Sequence, residues 1–270
     1  MTAEAQMWAV VNVTPDSFSD GGKFFDPTLA LSHARSLVAD GADVIDVGAE
    51  STRPGAQRIS AEEEIERLTP VVTELVEEGH VVSVDTMRAQ TAAAMIDVGV
   101  RTINDVSGGL ADPDMLTTIA AHDVTYVAMH WRGPSDTMDQ QATYDNVVTD
   151  VVAHLQQRTD AAIRAGISPE RIMVDPGFGF AKNPEHNWEL VREIAHVVAL
   201  GFPVLAGVSR KRFIGALFAG DHEMSDRDDP SAMVGALLAA SGVSALRVHS
   251  VTSQRRALEI MGRAGRGHRV

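Results

Sequence analysis

Eight short apolar runs rich in valine and isoleucine recur along the chain and alternate with amphipathic stretches. Such runs are typical of strands that are buried on both faces. The predicted strands are 8–12, 43–48, 81–85, 101–105, 125–130, 172–175, 204–209 and 245–249. The predicted helices are 27–40, 60–78, 88–98, 112–122, 146–165, 187–200, 212–219, 230–241 and 253–263. This alternation predicts parallel strands joined by helical crossovers.

Eight strand–helix units in 270 residues predict an α/β fold, a (β/α)8 TIM barrel that residues 1–270 form as a single domain. The alternative is an open doubly wound sheet, which usually has fewer strands and a glycine-rich nucleotide loop. No GxGxxG motif follows the first predicted strand, which disfavours that alternative. In a barrel the loops after the strands form the functional face, and the long loops 14–26 and 49–60 are expected to act as mobile lids.

Composition narrows the function classes. The formal net charge of −14 disfavours a nucleic-acid or anionic-membrane partner. The absence of cysteine excludes disulfides, thiolate catalysis and zinc–thiolate sites. The first residues do not resemble a secretion signal, and no run of about 18 apolar residues occurs. We therefore expect a cytoplasmic protein with small-molecule partners, no nucleic acid and no membrane.

Nearly every predicted strand ends on a polar side chain, which would cost about 1–3 kcal/mol to bury without a partner. If these ends meet on one rim, they form a reaction site. Asp85, Asn104 and Asp175 would then recognise a flat heterocycle through its N–H groups and ring nitrogens, and Phe180, between two glycines and a lysine, would flank an aromatic ring. The alternative is a buried hydrogen-bond network beneath the loops.

The strands predicted last carry basic residues. Barrels frequently bind phosphate after strands seven and eight, where Ser209–Arg212, Arg247 and His249 fall. The Asn12 amide either ligates a hard cation such as Mg2+ or holds a turn. His130 is a base or a structural donor. A metalloenzyme would need His130 and His249 to converge with Asp85 and Asp175.

Taken together, the motifs resemble those of dihydropteroate synthase, in the family's order and over nearly the whole chain. They are NVTPDSFSDGG at 12–22, ESTRPGA at 50–56, SVDT at 83–86, NDVSGG at 104–109, MHWRG at 129–133, DPGFGFAKN at 175–183, GVSRKRF at 207–213 and RVH at 247–249. The resemblance implies a (β/α)8 transferase of folate biosynthesis. It implies condensation of 6-hydroxymethyl-7,8-dihydropterin diphosphate with 4-aminobenzoate to 7,8-dihydropteroate and diphosphate, with inhibition by sulfonamides.

The resemblance also implies roles for individual residues. The implied pterin pocket consists of Asp85, Asn104, Asp175 and Lys211, with Met129 and Phe180 as walls and Arg247 stacked on the ring. Ser209 and His249 would bind near the diphosphate, with Asn12 toward Mg2+ as the cofactor. Substrate contacts in the mobile loops are implied for Asp20, Thr52, Arg53 and Pro54. The implied catalytic set is Asp20, Arg53, Lys211, Arg247 and His249.

The expected mechanism is dissociative loss of Mg-diphosphate without a protein nucleophile, because a stabilised diphosphate is a good leaving group. Two alternatives are a pterin-binding methyltransferase-like domain and a non-catalytic pterin-binding paralogue. Both would tolerate loss of motifs that are intact here. The family is usually dimeric, so a homodimer is expected, with 233–240 and 253–261 as candidate interface segments.

Overall fold

The computed structural model describes residues 5–14, 26–50, 58–134 and 137–265. Eight parallel strands form one sheet in the order β6-β5-β4-β3-β2-β1-β8-β7. The strands are β1 Gln6–Asn12, β2 Val44–Gly48, β3 Val82–Asp85, β4 Thr102–Asp105, β5 Thr125–Met129, β6 Ile172–Asp175, β7 Leu205–Ala206 and β8 Ala245–Val248.

The sheet curves until its two edge strands meet. Val174 of β6 pairs with Val204 in an isolated parallel bridge, and the Val174 N–H donates to the Pro203 carbonyl at 2.9 Å. The predicted (β/α)8 barrel is therefore confirmed. Strand β7 is shorter than predicted because residues 207–211 leave the sheet, and Arg210 turns the chain with φ of 58°.

Ten helices surround the sheet within the described ranges. They are α1 Pro27–Ala39, α2 Ala61–Glu77, α3 Ala89–Val98, α4 Met115–Ala120, α5 Val147–Ala165, α6 Pro184–Arg192, α7 Ala195–Val198, α8 Arg212–Gly215, α9 Asp228–Ala240 and α10 Val251–Gly265. The predicted helix 187–200 was wrong at its start, because Asn183 caps α6 by accepting from His186 N at 2.8 Å. The segment predicted as one helix also forms two helices, α6 and α7. Across the described ranges, none of these helices has the length and apolarity needed to cross a bilayer.

Side chains alternate between the two faces of each strand, and this alternation builds the barrel interior in layers. Odd-numbered residues of β1, such as Met7 and Val11, pack in the large core beneath the helices. The interior holds a separate apolar cluster of Trp8, Val44, Val127, Met173, Leu205 and Ala245. Two residues further along five of these strands, on the same face, come Val10, Asp46, Met129, Asp175 and Arg247. The interior is thus an apolar layer topped by a polar layer, named for the side chains of Asp46, Asp175 and Arg247.

Candidate active site

Arg247 lies at the centre of the polar layer. Its Nε donates to Asp46 Oδ2 at 2.6 Å, and its Nη2 donates to Asp85 Oδ2 at 3.0 Å. Asn104 Nδ2 donates to the same Asp46 oxygen at 3.2 Å. The Arg247 guanidinium group therefore connects β8 to β2 and β3, and Asp46 connects this network to Asn104 of β4.

Burial disfavours the charged forms of both Asp85 and Arg247 in this layer. The pKa of Asp85 is raised to about 7, mainly by burial. The charge of Arg247 opposes this increase, and the charge of Asp46 adds to it. Burial disfavours the Arg247 cation as well, but the carboxylates of Asp46 and Asp85 outweigh burial and raise its pKa. Asp85 therefore has a proton affinity that responds to any charge brought into the interior near neutral pH.

The loop after β6 approaches this layer closely. Gly177 N donates to Asp175 Oδ1 at 2.7 Å. Gly177 has φ of 67°, and a Cβ there would lie 2.6 Å from the carbonyl oxygen of His130, so only glycine fits. Burial raises the pKa of Asp175 to about 6, against the Gly177 hydrogen bond and the charges of Lys211 and Arg247, which lower it.

Lys211 packs against the same loop at Gly179 and Phe180. Its Nζ lies 4.1 Å from the centroid of the Phe180 ring, a cation–π contact. Burial lowers the pKa of Lys211 to about 8, with Arg247 lowering it further and Asp175 raising it. A cation and an aromatic face are therefore presented together beside Asp175.

The rim between β7 and β8 is organised by Ser209. Its Oγ accepts from the His249 backbone N–H at 3.1 Å and lies 3.1 Å from His249 Nδ1. Arg210 points elsewhere, because its guanidinium binds Asp228 with two hydrogen bonds of 2.7 and 2.9 Å. Of the basic stretch after β7, Lys211 is the residue that faces Phe180.

Residues 8–249 match the model of a family described as pterin binding enzymes. The dihydropteroate synthase of Mycobacterium leprae is 44% identical over 265 residues, which cover 96% of this chain and 93% of that protein. The solved Xanthomonas albilineans dihydropteroate synthase with 4-aminobenzoic acid has a TM-score of 0.90 and 39% identity, over 98% of this chain and 94% of that one. The Anaplasma phagocytophilum dihydropteroate synthase with bound 6-hydroxymethylpterin-monophosphate has a TM-score of 0.87 and 39% identity, over 97% and 99%.

The chain belongs to the dihydropteroate synthase family. The resemblance inferred from the motifs is confirmed, as are the predicted transferase class and the predicted role in folate synthesis. The barrel of this family member places most of the predicted site residues on one rim or in the polar layer below it. They are Asn12, Asp85, Asn104, Met129, Asp175, Phe180, Ser209, Lys211, Arg247 and His249. The predicted loop residues Asp20, Thr52, Arg53 and Pro54 lie outside the described residues.

Not every polar strand end of this synthase family member faces the site. Asp105 ends β4 but points toward the helices, where it accepts from Tyr126 Oη at 2.8 Å and from the backbone and hydroxyl of Ser107. This residue stabilises the turn after β4. At Asp105 the alternative interpretation of a strand end, a buried hydrogen-bond network beneath the loops, is therefore the one that the structure shows.

Two residues with no predicted site role contact the predicted site residues of this synthase family member. Asp46, on β2, is fully buried and binds Arg247 directly. Strand alternation carried the signal, since Asp46 follows the interior residue Val44 by two positions. Lys182 is buried against His130, and nothing in the sequence around it indicates this contact.

The metalloenzyme alternative required His130 and His249 to converge with two carboxylates. Among the described residues, no group of three or more His, Asp or Glu side chains is arranged to hold a metal ion. His130 instead contacts Lys182 and is buried. Burial and the neighbouring cations keep the pKa of His130 low, so its ring is neutral.

Proposed function

We propose that the interior polar layer binds 6-hydroxymethyl-7,8-dihydropterin diphosphate and that 4-aminobenzoate attacks its methylene carbon at the rim. The observation that carries this proposal is the Asp46–Arg247–Asp85 network beside Asn104 and Asp175. It combines several hydrogen-bond acceptors with one planar cation above an apolar layer. The bound 4-aminobenzoic acid and pterin monophosphate of the two solved relatives support the same assignment.

The pterin ring carries N–H donors on one edge and ring nitrogens that accept. Asp85 and Asp175 supply carboxylate oxygens, and the Asn104 amide can both donate and accept. Arg247, a planar guanidinium, is suited to stack on the ring face. Met129 and Phe180 supply apolar surface for the remaining faces. The set thus matches a flat heterocycle with mixed donors and acceptors.

The diphosphate end requires cations and N–H or O–H donors. Lys211, Arg247, Ser209 and His249 lie along the β7–β8 rim, where barrels commonly bind phosphate. Lys211 is partly buried, and its pKa of about 8 leaves it mostly charged at neutral pH. Stabilising negative charge as it develops on the leaving diphosphate is the main electrostatic task of these groups.

The proposed reaction is dissociative. The bond between the methylene carbon and the bridging oxygen breaks first, and its electron pair leaves with the diphosphate. The carbon becomes cationic, the amine nitrogen of 4-aminobenzoate then bonds to it, and that nitrogen releases one proton to solvent. Asp85 and Asp175 stabilise the cation electrostatically, so the chain supplies no nucleophile.

Mg2+ is the proposed cofactor, and Asn12 is its proposed ligand. Asn12 ends β1 on the same rim and is partly exposed, and its amide oxygen is a hard donor. One protein oxygen fits Mg2+, because this ion usually binds through one or two protein oxygens together with substrate phosphates. When bound, it would neutralise charge on the diphosphate.

The site assignment is tested by removing one carboxylate at a time. Asp85→Asn and Asp175→Asn are each expected to lower the rate of diphosphate release by about 100-fold or more, since each removes a charge from the reacting region. Asp123→Asn is the control, because Asp123 is 96% exposed at the other end of the barrel. If the folded wild-type chain binds pterin but releases no diphosphate with both substrates, the synthase function is wrong.

The dissociative route has its own test. Pterin diphosphate labelled with 18O in the bridging position is incubated with enzyme and Mg2+ in the absence of 4-aminobenzoate. Reversible bond cleavage would move the label into non-bridging positions. Retention of the label, together with normal product formation when the amine is added, would count against a free cation.

A homodimer is also proposed. Met233 and Leu237, one turn apart on α9, are 67% and 59% exposed, and Ile260 on the adjacent α10 is 68% exposed. A second copy of this apolar α9–α10 face would cover it by two-fold symmetry. Leu237→Glu is expected to give a monomeric mass by light scattering, and Leu217→Glu, at a 61% exposed residue elsewhere, is the control. A monomeric wild type would refute the proposal.

The cytoplasmic location stays a prediction from the sequence. Inhibition by sulfonamides is proposed as well, because these drugs imitate 4-aminobenzoate. Inhibition that is competitive with 4-aminobenzoate and not with pterin diphosphate would support this proposal, and it is measured from initial rates at varied concentrations of each substrate.

A further inference from the structure

Lys182 is a buried cation that the mechanism above does not use. Only 5% of the residue is exposed, and its Nζ is surrounded by three acceptors. It donates to the carbonyl oxygens of Gly177 at 2.9 Å and Phe180 at 3.0 Å, and it lies 3.0 Å from His130 Nδ1. Each proton of the ammonium group therefore has a partner.

All three partners are uncharged, and in the described part of the chain Lys182 makes no ion pair. Lysine is almost never fully buried unless it is paired. Burial lowers the pKa of Lys182 to about 7, and the charge of Asp175 opposes this decrease. A buried ammonium group held only by neutral acceptors costs stability, so its position calls for a reason in the loop that it binds.

That loop connects Asp175 to Phe180, and both ends face the proposed pterin site. Ala181 has φ of 47°, a left-handed conformation that costs about 1–2 kcal/mol in a residue with a Cβ. Neighbouring contacts hold the strained backbone. Tyr144 Oη donates to the Ala181 carbonyl at 2.9 Å, and Asn187 Oδ1 accepts from Gly179 N at 2.7 Å.

We propose that Lys182 is a positioning residue for the pterin end of the site. By binding the carbonyls of Gly177 and Phe180, it fixes the backbone between them. The Gly177 N–H then points at Asp175, and the Phe180 ring stays against Lys211. The proposal rests on the proposed role of Asp175 in pterin binding.

His130 is the third acceptor of Lys182, and it is neutral. It is 1% exposed, and its ring packs edge-on against His154 with 4.8 Å between the ring centroids. Because the ring is neutral, its Nδ1 can accept a hydrogen bond from Lys182 without repelling the ammonium group. His130, which directly follows β5, therefore acts on the site through Lys182.

Lys182→Met tests the proposal, since it keeps the length of the side chain and removes the ammonium group. The probe is 6-hydroxymethylpterin monophosphate, titrated by calorimetry at a temperature at which the variant is fully folded. Its affinity is expected to fall about 10-fold or more, as for loss of a hydrogen bond from a charged group. The KM for 4-aminobenzoate is expected to stay within about 2-fold. A purely structural role would lower the melting temperature without this difference between the substrates.

Arg171→Met is the matched control. Arg171 is also a cation that binds backbone carbonyls, those of His122 and Val124, but at the opposite end of β6. This variant is expected to lose stability while its affinity for the pterin probe stays unchanged. Equal loss of pterin affinity in Arg171→Met and Lys182→Met would overturn the positioning role.

Two further variants keep the outcome decisive. If Lys182→Met does not fold, His130→Leu removes one of the three acceptors and is expected to weaken pterin binding about 3-fold. A folded variant of either residue with wild-type affinity for the probe overturns the proposal. Asp175→Asn is measured in parallel, because wild-type affinity in that variant would show that the assigned pterin site is wrong, whatever Lys182 does.

Discussion

Asp46→Asn is the most informative single change, because Asp46 supports the site from below while lying deeper than the residues proposed to contact substrate. One oxygen, Oδ2, accepts from both Arg247 Nε and Asn104 Nδ2. An amide oxygen can still accept, but the charge is lost, and charge-assisted bonds are about twice as strong as neutral ones. With about 1.5–3 kcal/mol for a bond to a charged group, the expected loss is about 1–2 kcal/mol.

That loss corresponds to about a 10-fold lower kcat/KM for pterin diphosphate, measured by diphosphate release. A second readout follows from the charges. The Asp46 carboxylate raises the pKa of Asp85, so its removal should shift the acidic limb of the pH profile to lower pH. Glu185→Gln, which removes an exposed partner of Arg192, should change neither quantity. A folded Asp46→Asn enzyme with wild-type kcat/KM and an unshifted acidic limb would refute the reasoning.

Four further predictions concern the pH dependence of activity, the pH dependence of stability, the Tyr126 hydroxyl and Mg2+. The raised pKa values of Asp85, about 7, and Asp175, about 6, predict that kcat/KM falls as the pH drops from 7 to 6. The Lys211 pKa of about 8 predicts that kcat/KM also falls as the pH rises above 8. A flat profile from about pH 5.5 to 9 would contradict both predictions. Because the folded chain keeps protons on these two carboxyls that the unfolded chain releases near pH 4, they make stability to urea decrease as pH rises from about 4 to 7. Tyr126→Phe should lower the free energy of unfolding by about 1.5–3 kcal/mol in urea titrations while kcat stays within about 2-fold, since its hydroxyl binds Asp105 on the helix side of β4. Chelation should slow diphosphate release and added Mg2+ should restore it, and full activity after exhaustive chelation would exclude the Mg2+ role.

The fold was predictable because the pattern of apolar runs is set by burial on both faces of each strand, and this signal is strong for parallel strands. The rim residues were predictable for the same reason, since strand ends are visible in a sequence. The position of a strand end does not by itself give the direction of its side chain, which depends on the register of the strand in the sheet. Asp46 and Asp105 show the consequence: one faces the interior and the other faces the helices.

Long-range contacts explain the rest of what sequence reasoning missed. His130 and Lys182 are 52 residues apart, and nothing in the sequence near either one indicates their contact. The Arg247–Asp46 bond spans 201 residues. Such pairs depend on barrel closure and register, which periodicity alone does not define.

The raised pKa values of Asp85 and Asp175 connect the geometry of the site to the proposed chemistry. Burial disfavours the charged form of both carboxyl groups, even though Arg247 and Lys211 are nearby. A cation that develops on the pterin methylene would stabilise the charged carboxylates, and by linkage they would stabilise that cation equally. A neutral ring in the ground state receives less of this energy. The interaction therefore grows as the carbon–oxygen bond breaks, which is the condition for lowering a barrier rather than only tightening substrate binding.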